Sequence, residues 1–388
     1  MKHTIYINQK NKNVTVETNL LSFGFEKEKT KIIRLNDLWD FKEILCGFDS
    51  LVVQPQYFNE DMIHIIQEKN IQCLYLEDRL IGGFFEKEID KYKTLTDLSF
   101  LVKISHLKCF KMDAYTPFFS EKPISKIEDY TPIENLKELE YIYIPDNGDY
   151  PVLVDIDFSK LKKLKEVNLP YPKKNKTIYR CENIESIETR YYEKDLIVME
   201  NWKKLKYFSA YCTKLESFKG LSSFNKLEIL KVEITSKFKS FENTNSQSLK
   251  TFFVYTEAKK TSTTLNGLSG LKNVEKISLN GLKMLEDISD LSYCITLNEL
   301  VFENCKIPND VSTYSSLINL KKLIFDDCKD IESLEFVKTL SKLRYLSFSG
   351  NTKIIDGNLD FLLELSRKGV EIYFNDRKHY SVKYKDIK

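Results

Sequence analysis

A chain of 388 residues, 42% of them hydrophobic, carries enough apolar material for a large core. Its 59 Lys and Arg stand against 57 Asp and Glu, a formal net charge of +2, so no whole-molecule field draws it to nucleic acid or to a membrane. No apolar run approaches the roughly 18 residues of a membrane span, and none of the eight cysteines forms a Cys-x-x-Cys pair.

The chain opens MKHTIYINQKNKNVTVETN. It turns polar too soon for the apolar region of a secretory signal, which predicts a cytoplasmic protein with reduced, buried thiols. "TIYIN" and "NVTVET" alternate as two strands. Residues 1–47 are expected to form an N-terminal cap. Next come "FDSLVVQ" and "NIQCLYLED", with Leu51 and Leu74 23 residues apart. Between them "NEDMIHIIQEKN" predicts a short helix capped by Asn59 or Asp61. Leu107, Phe110 and Met112 start a further unit, and insertions flank it. "YTPFFSEKPISKIEDYTP" at 115–132 is one, and "YPKKNK" within 171–178 is a basic loop read as a solvated one.

From there a pattern repeats. Leu139, Ile142 and Ile144 are followed by Leu164, Val167 and Leu169. Later units start at Ile184, Leu205, Leu227, Leu249, Val274, Leu297, Leu320 and Leu343, with steps of 20 to 25 residues. With the first residue of a unit numbered 0, apolar residues recur at +3 and +5. Leu300 with Phe302, Leu323 with Phe325 and Leu346 with Phe348 are examples. Two residues apart on a strand, they face one way. Position +8 turns the chain and offers a side chain to the loop backbone from inside; Thr213, Thr235, Cys305, Cys328 and Asn351 hold it. The stretch after each strand has apolar spacings of three, as in Leu215, Phe218, Leu221 and Phe224, which predicts 3₁₀ returns.

The Leu-x-x-Leu-x-Leu core resembles the leucine-rich-repeat superfamily, and the 22–23-residue period resembles its bacterial internalin-like class. That resemblance implies an α/β solenoid: a parallel sheet on the concave face, with 3₁₀, loop and short-helix segments on the convex side. The expected organisation is a cap at 1–47, the solenoid at 48–375 and a tail or cap at 376–388, where "RKHYS" is similar to endings of bacterial leucine-rich-repeat proteins.

Catalytic constellations are missing from the sequence. It has no Gly-x-x-x-x-Gly-Lys-Ser/Thr loop, no Gly-x-Ser-x-Gly and no His-Glu-x-x-His. "PDNGDY" at 145–150 lacks calcium-loop spacing. The expectation is no enzyme, no cofactor and no metal site. Positions +4, +6 and +7 should instead line the concave face. There the aromatics Tyr143, Tyr171, Tyr191, Tyr211, Phe253 and Tyr255 gather, and the acids Glu233, Glu303, Asp326 and Asp327 flank them. Tyrosine among charges is an interface composition, and an acidic lining disfavours nucleic acid there. The expected partner is another protein with a basic surface, not a membrane. A cytoplasmic immunity protein that neutralises a toxin is the sharpest version. An internalin-like adhesion module and a regulatory sensor subunit are the alternatives, and the sequence leaves the oligomeric state open.

Overall fold

The computed structural model describes residues 3–8, 11–17, 50–53, 58–76, 97–112, 127, 129–144, 155–169, 176–308 and 310–387. The chain divides into two compact units, Met1–Thr189 and Arg190–Lys388. Both are built from coils in which one strand is followed by a turn and a return segment.

In the first unit β1 (His3–Asn8) pairs antiparallel with β2 (Asn11–Glu17) and parallel with β3 (Ser50–Val53). The parallel ladder goes on through β4 (Cys73–Leu76), β5 (Cys109–Met112), β6 (Tyr141–Tyr143), β7 (Glu166–Leu169) and β8 (Ser186–Tyr191). Its register sets Leu74, Phe110, Ile142, Val167 and Ile187 opposite one another, and all five are buried. Helix α1 (Glu60–Glu68) joins β3 to β4. Asn59 caps it as the sequence predicts, its side-chain oxygen accepting from the Met62 amide at 3.2 Å. Met62, Ile63 and Ile66 form its buried stripe. The returns at Ser99–Ile104, Thr131–Asn135, Phe158–Lys160 and Thr177–Arg180 are 3₁₀ turns. Most of the insertions at 115–132 and 171–178, and much of 1–47, lie outside the described residues.

The second unit steps by 23 residues from Ile277 to Leu300, Leu323 and Leu346, and by 26 from Leu346 to Ile372. Its strands are β9 (Tyr207–Cys212), β10 (Ile229–Ile234), β11 (Thr251–Tyr255), β12 (Lys276–Asn280), β13 (Glu299–Glu303) and β14 (Lys322–Asp326). After them come β15 (Asp330–Ile331), β16 (Tyr345–Ser349), β17 (Lys353–Ile354) and β18 (Glu371–Phe374). β15 and β17 pair with each other, and the other strands form one parallel ladder. Leu300 sits between Ile277 and Leu323, and Phe302 between Leu279 and Phe325. Each of these +3 and +5 side chains is buried. Phe302 and Phe325 stack with ring centroids 5.9 Å apart, and Phe348 stacks on Phe374 at 4.8 Å. The returns are 3₁₀ turns at Leu221–Ser223, Leu268–Gly270, Ser289–Tyr293 and Glu335–Thr339, with two short helices, α2 (Val311–Ser316) and α3 (Phe361–Arg367).

Position +7 makes the turn that the repeat depends on. Gly281, Asn304, Asp327 and Gly350 occupy it in four consecutive coils, with φ of 84°, 51°, 47° and 63°. Glycine takes this left-handed region freely, and Asn and Asp tolerate it best among the other residues. The turned amide then donates to the +6 carbonyl of the next coil. Gly281 reaches Glu303 at 2.9 Å, and Asn304 reaches Asp326 at 2.8 Å.

The residue behind the turn faces inward and ties coil to coil. The Cys305 thiol donates to the Leu279 carbonyl at 3.3 Å and the Cys328 thiol to that of Phe302 at 3.4 Å. Both thiols are free and buried, and burial raises their pKa values to about 11 and about 12. In the next coil the expectation fails by one residue. Asn351 is exposed, and the buried Thr352 donates to the Phe325 carbonyl at 3.2 Å and accepts from the Cys328 amide at 2.9 Å. The cause is an outward pull on Asn351: its backbone and side-chain nitrogens both bond the Asp327 carboxylate, at 2.9 and 2.8 Å.

Beyond β18, residues 376–387 cover the last coil. The Tyr380 ring meets Phe348 and Phe374 edge-on, and its hydroxyl accepts from the Ile354 amide at 3.0 Å.

Leu300→Ala or Leu323→Ala should lower stability by about 2–5 kcal/mol in urea melts, because each side chain fills the interior of a coil. At the turn, Asn304→Ala should lose about 1 kcal/mol. Gly281→Ala should lose more, since a Cβ there would stand 1.8 Å from the Thr256 carbonyl oxygen as well as at positive φ. An Asn304→Ala loss equal to or above that of Gly281→Ala would refute this account of the turn.

Candidate functional site

A strand buries every second side chain, so the burial of +3 and +5 forces +2, +4 and +6 onto the open face of the sheet. In the second unit the +6 residues form one in-register row: Tyr211, Glu233, Tyr255, Asn280, Glu303, Asp326 and Ser349. At about 4.8 Å per strand the row spans roughly 29 Å. Beside it the +4 row places Lys231, Phe253, Val301 and Ile324, with the buried Ser278 and Ser347 between the larger side chains.

The rows differ in how their charge is met. On the +2 row, Glu299 lies between Lys276 at 2.9 Å and Lys322 at 3.4 Å, and this network holds its carboxyl below the usual range against the opposing effect of burial. On the +6 row, neither Glu233, Glu303 nor Asp326 makes a salt bridge among the described residues. Partial burial raises the pKa of Glu233; Glu257 adds to the rise and Arg190 opposes it. The Tyr255 hydroxyl donates to Glu257 at 2.7 Å. That bond, with the nearby charges of Glu233 and Glu303, pushes its pKa up to about 12. Tyr211 is 38% exposed, and the Arg190 guanidinium stands 5.7 Å from its ring centroid. Aromatic surface and carboxylates without salt bridges therefore share one face.

Not every residue expected at the site belongs to it. Tyr211, Glu233, Phe253, Tyr255, Glu303 and Asp326 share the open face of the second unit. Tyr191 does not: it is 2% exposed, its ring packs edge-on against Phe208 at 5.7 Å, and its hydroxyl donates to the Asp195 carbonyl. The reason is local. β8 stays extended to its end, as β9 and β10 do through the buried Cys212 and Ile234, whereas the coils of Gly281, Asn304, Asp327 and Gly350 turn at +7, so Tyr191 keeps the inward side of Ile187. Asp327 is exposed, but its carboxylate is taken up by the Asn351 turn. Tyr171 lies outside the described residues. Tyr143 belongs to the first unit, where the Lys111 ammonium sits 4.2 Å from its ring centroid and 4.3 Å from that of Tyr75. Lys111 is 1% exposed and Tyr75 is fully buried, although both lie at +4.

Sequence reasoning missed Glu257. Glu257 falls at +8, a position assigned to the interior, yet it is exposed because Thr256 before it is the buried residue. Its spacing of two from Tyr255 was the available signal. Among the described residues no group of three or more His, Cys, Asp and Glu is placed to hold a metal ion, and no helix is long and apolar enough to cross a membrane.

No protein-family profile matches the chain, and no curated protein sequence does. Solved structures resemble it at low identity. An internalin of Listeria monocytogenes (inlF) has 14% identity over 82% of this chain and 90% of its own, with a TM-score of 0.44. A leucine-rich-repeat protein of Leptospira interrogans has 16% identity over 87% of this chain and 86% of its own, with a TM-score of 0.38. Toll of Drosophila, in its complex with Spatzle, has 11% identity over 79% of this chain and 43% of its own, with a TM-score of 0.45. The decisive geometry is internal to the chain: a Leu-x-x-Leu-x-aromatic repeat in unbroken parallel register, backed by 3₁₀ returns. That geometry is the fold of a leucine-rich-repeat solenoid.

Proposed function

We propose that the chain is a non-catalytic protein-binding module. The open sheet face of residues 190–388 sequesters a partner that presents a basic surface. One observation carries this reading: the +6 row leaves Glu233, Glu303 and Asp326 without salt bridges among the described residues, while on the +2 row of the same sheet Glu299 is paired with both Lys276 and Lys322. Tyr211, Phe253 and Tyr255 add rigid contact area at small entropic cost, as anchors of interfaces do. The sharpest form of the proposal is a cytoplasmic immunity protein that neutralises a toxin, for instance a basic nuclease. An adjacent reading frame for such a toxin, and inhibition of its product by the purified chain, test that form directly.

Against a partner recovered in this way, Tyr211→Ala and Tyr255→Ala should each weaken binding by about 2 kcal/mol or more with little change in melting temperature. Glu303→Lys should slow association and flatten its salt dependence, as expected for a charge that steers a basic partner. Lys338→Ala on the convex Glu335–Thr339 turn is the control and should change nothing. Tolerance at Tyr211, Tyr255 and Glu303 together, with binding intact, would remove the site from this face.

The pH dependence follows from Glu233. Its folded pKa lies above the ordinary glutamate value of 4.5. The folded state therefore holds more proton than the unfolded one between those two values, and stability falls as pH rises through that window. Glu233→Gln should stabilise the free protein at neutral pH and give no advantage below about pH 4. Equal gain at both pH values in thermal melts would contradict this assignment.

A further inference from the structure

The edge at which the chain enters its strands carries an apolar ledge that the open-face reading does not use. Tyr293 and Ile295 are each 60% exposed, and Ile318 is 56% exposed. Ile295 and Ile318 hold the same place in consecutive coils, two residues before Leu297 and Leu320. Hydrogen bonds show that these positions stack. The Asn319 side-chain amide donates to the Ile295 carbonyl at 2.6 Å, and the Thr296 hydroxyl donates to the Val274 carbonyl at 2.7 Å. The two isoleucines are thus neighbours, about one strand spacing apart.

Cations surround them. Lys272 holds the same place one coil earlier. On the far side, the Lys342 ammonium donates to the Asn319 side-chain oxygen at 2.6 Å. Lys321 and Arg344 stand at the entries of β14 and β16, joined by a backbone bond of 2.8 Å. These four cations make no salt bridge among the described residues. Two nearby acids are occupied, Glu275 by Lys250 at 3.0 Å and Glu299 by Lys276 and Lys322, while Glu371, whose amide bonds the Arg344 carbonyl at 2.8 Å, makes no salt bridge among the described residues.

We propose that this edge is a second docking surface, for a segment of a partner protein in which aliphatic side chains alternate with Asp or Glu. Charge complementarity selects the acidic residues, and the paired isoleucines select the aliphatic ones. One tyrosine is too little for a base-stacking platform, which argues against nucleic acid. A lipid surface fits less well too. The isoleucines sit on turns fixed by the Asn319 and Thr296 hydrogen bonds and do not belong to an amphipathic helix that could sink into an interface. The proposal is independent of the open-face reading, because it uses none of Tyr211, Tyr255 or Glu303.

The test is fluorescence anisotropy of the full chain with a labelled synthetic peptide of about eight residues alternating Leu and Glu, beside a Ser–Glu peptide of the same length and charge. The Leu–Glu peptide should bind in a salt-sensitive manner. Ile295→Ser with Ile318→Ser, and separately Lys321→Glu with Lys342→Glu, should each weaken it about tenfold or more, while Tyr255→Ala leaves it unchanged. Melting curves verify folding, and the lysine pair decides the matter if the isoleucine pair fails to fold. No binding, equal binding of the two peptides, or indifference to the folded variants would overturn the proposal. So would sedimentation with phosphatidylserine vesicles that Ile318→Ser abolishes in the absence of Leu–Glu binding, since that would assign the edge to lipid.

Discussion

Everything in this fold depends on coils that stay in register. A single coil of some 23 residues cannot enclose its own apolar side chains, so each buries them against the coils on either side. Leu300 is buried because Ile277 and Leu323 flank it, and Phe302 because Leu279 and Phe325 do. A shift of one residue in any strand would carry its +3 and +5 residues to the open face and its +4 and +6 residues into the core. In the four coils of Gly281, Asn304, Asp327 and Gly350 the left-handed turn at +7 guards against that shift. It fixes where the strand ends, and in the first three its amide pairs with the +6 carbonyl of the next coil and with no other.

That constraint decides which features are legible in the sequence. The +3 and +5 residues are under the strictest physical demand, large and apolar with few substitutes, so Leu300, Leu323 and Phe325 announce themselves. The 3₁₀ returns and the Asn59 cap were legible for the same reason, since spacing and capping chemistry leave few alternatives. Position +8 was legible only as a requirement. Cys305 and Cys328 meet it with thiols, but Thr352 meets it one residue late because Asp327 holds Asn351 outside. Tyr191 was misread because its inward direction depends on an absent turn, and no residue type records an absence. The burial of Lys111 between Tyr75 and Tyr143 was equally hidden: a lysine at +4 reads as solvent-facing until its neighbours on both strands prove to be aromatic.

A net charge of +2 conceals a marked separation of charge within residues 190–388. The strand-entry edge collects Lys272, Lys321, Lys342 and Arg344, and the +6 row collects Glu233, Glu303 and Asp326. Between them lies the Lys276, Glu299 and Lys322 network, in which one carboxylate is shared by two ammonium groups. Such a pattern arises readily in a repeat. Each position forms a row of its own, and rows alter charge without touching the core. Whole-chain composition cannot report it, because the sum over rows is nearly zero.

The separation of rows also sets what a binding surface on this scaffold can do. Residues at +6 are anchored by backbone pairing on both sides, so Tyr211, Tyr255 and Glu303 present themselves on a sheet that cannot relax independently of the core beneath it. Little conformational freedom remains to be lost when a partner arrives, and the affinity available per contact rises accordingly. The same rigidity limits adaptation. A partner must match the spacing of about 4.8 Å between strands, so its cations have to fall near Glu233, Glu303 or Asp326 and its apolar groups near Phe253, Val301 or Ile324. Substitution along one row changes which partner fits while the fold stays intact, because the inward rows that hold the coils together are chemically independent of the rows that face out.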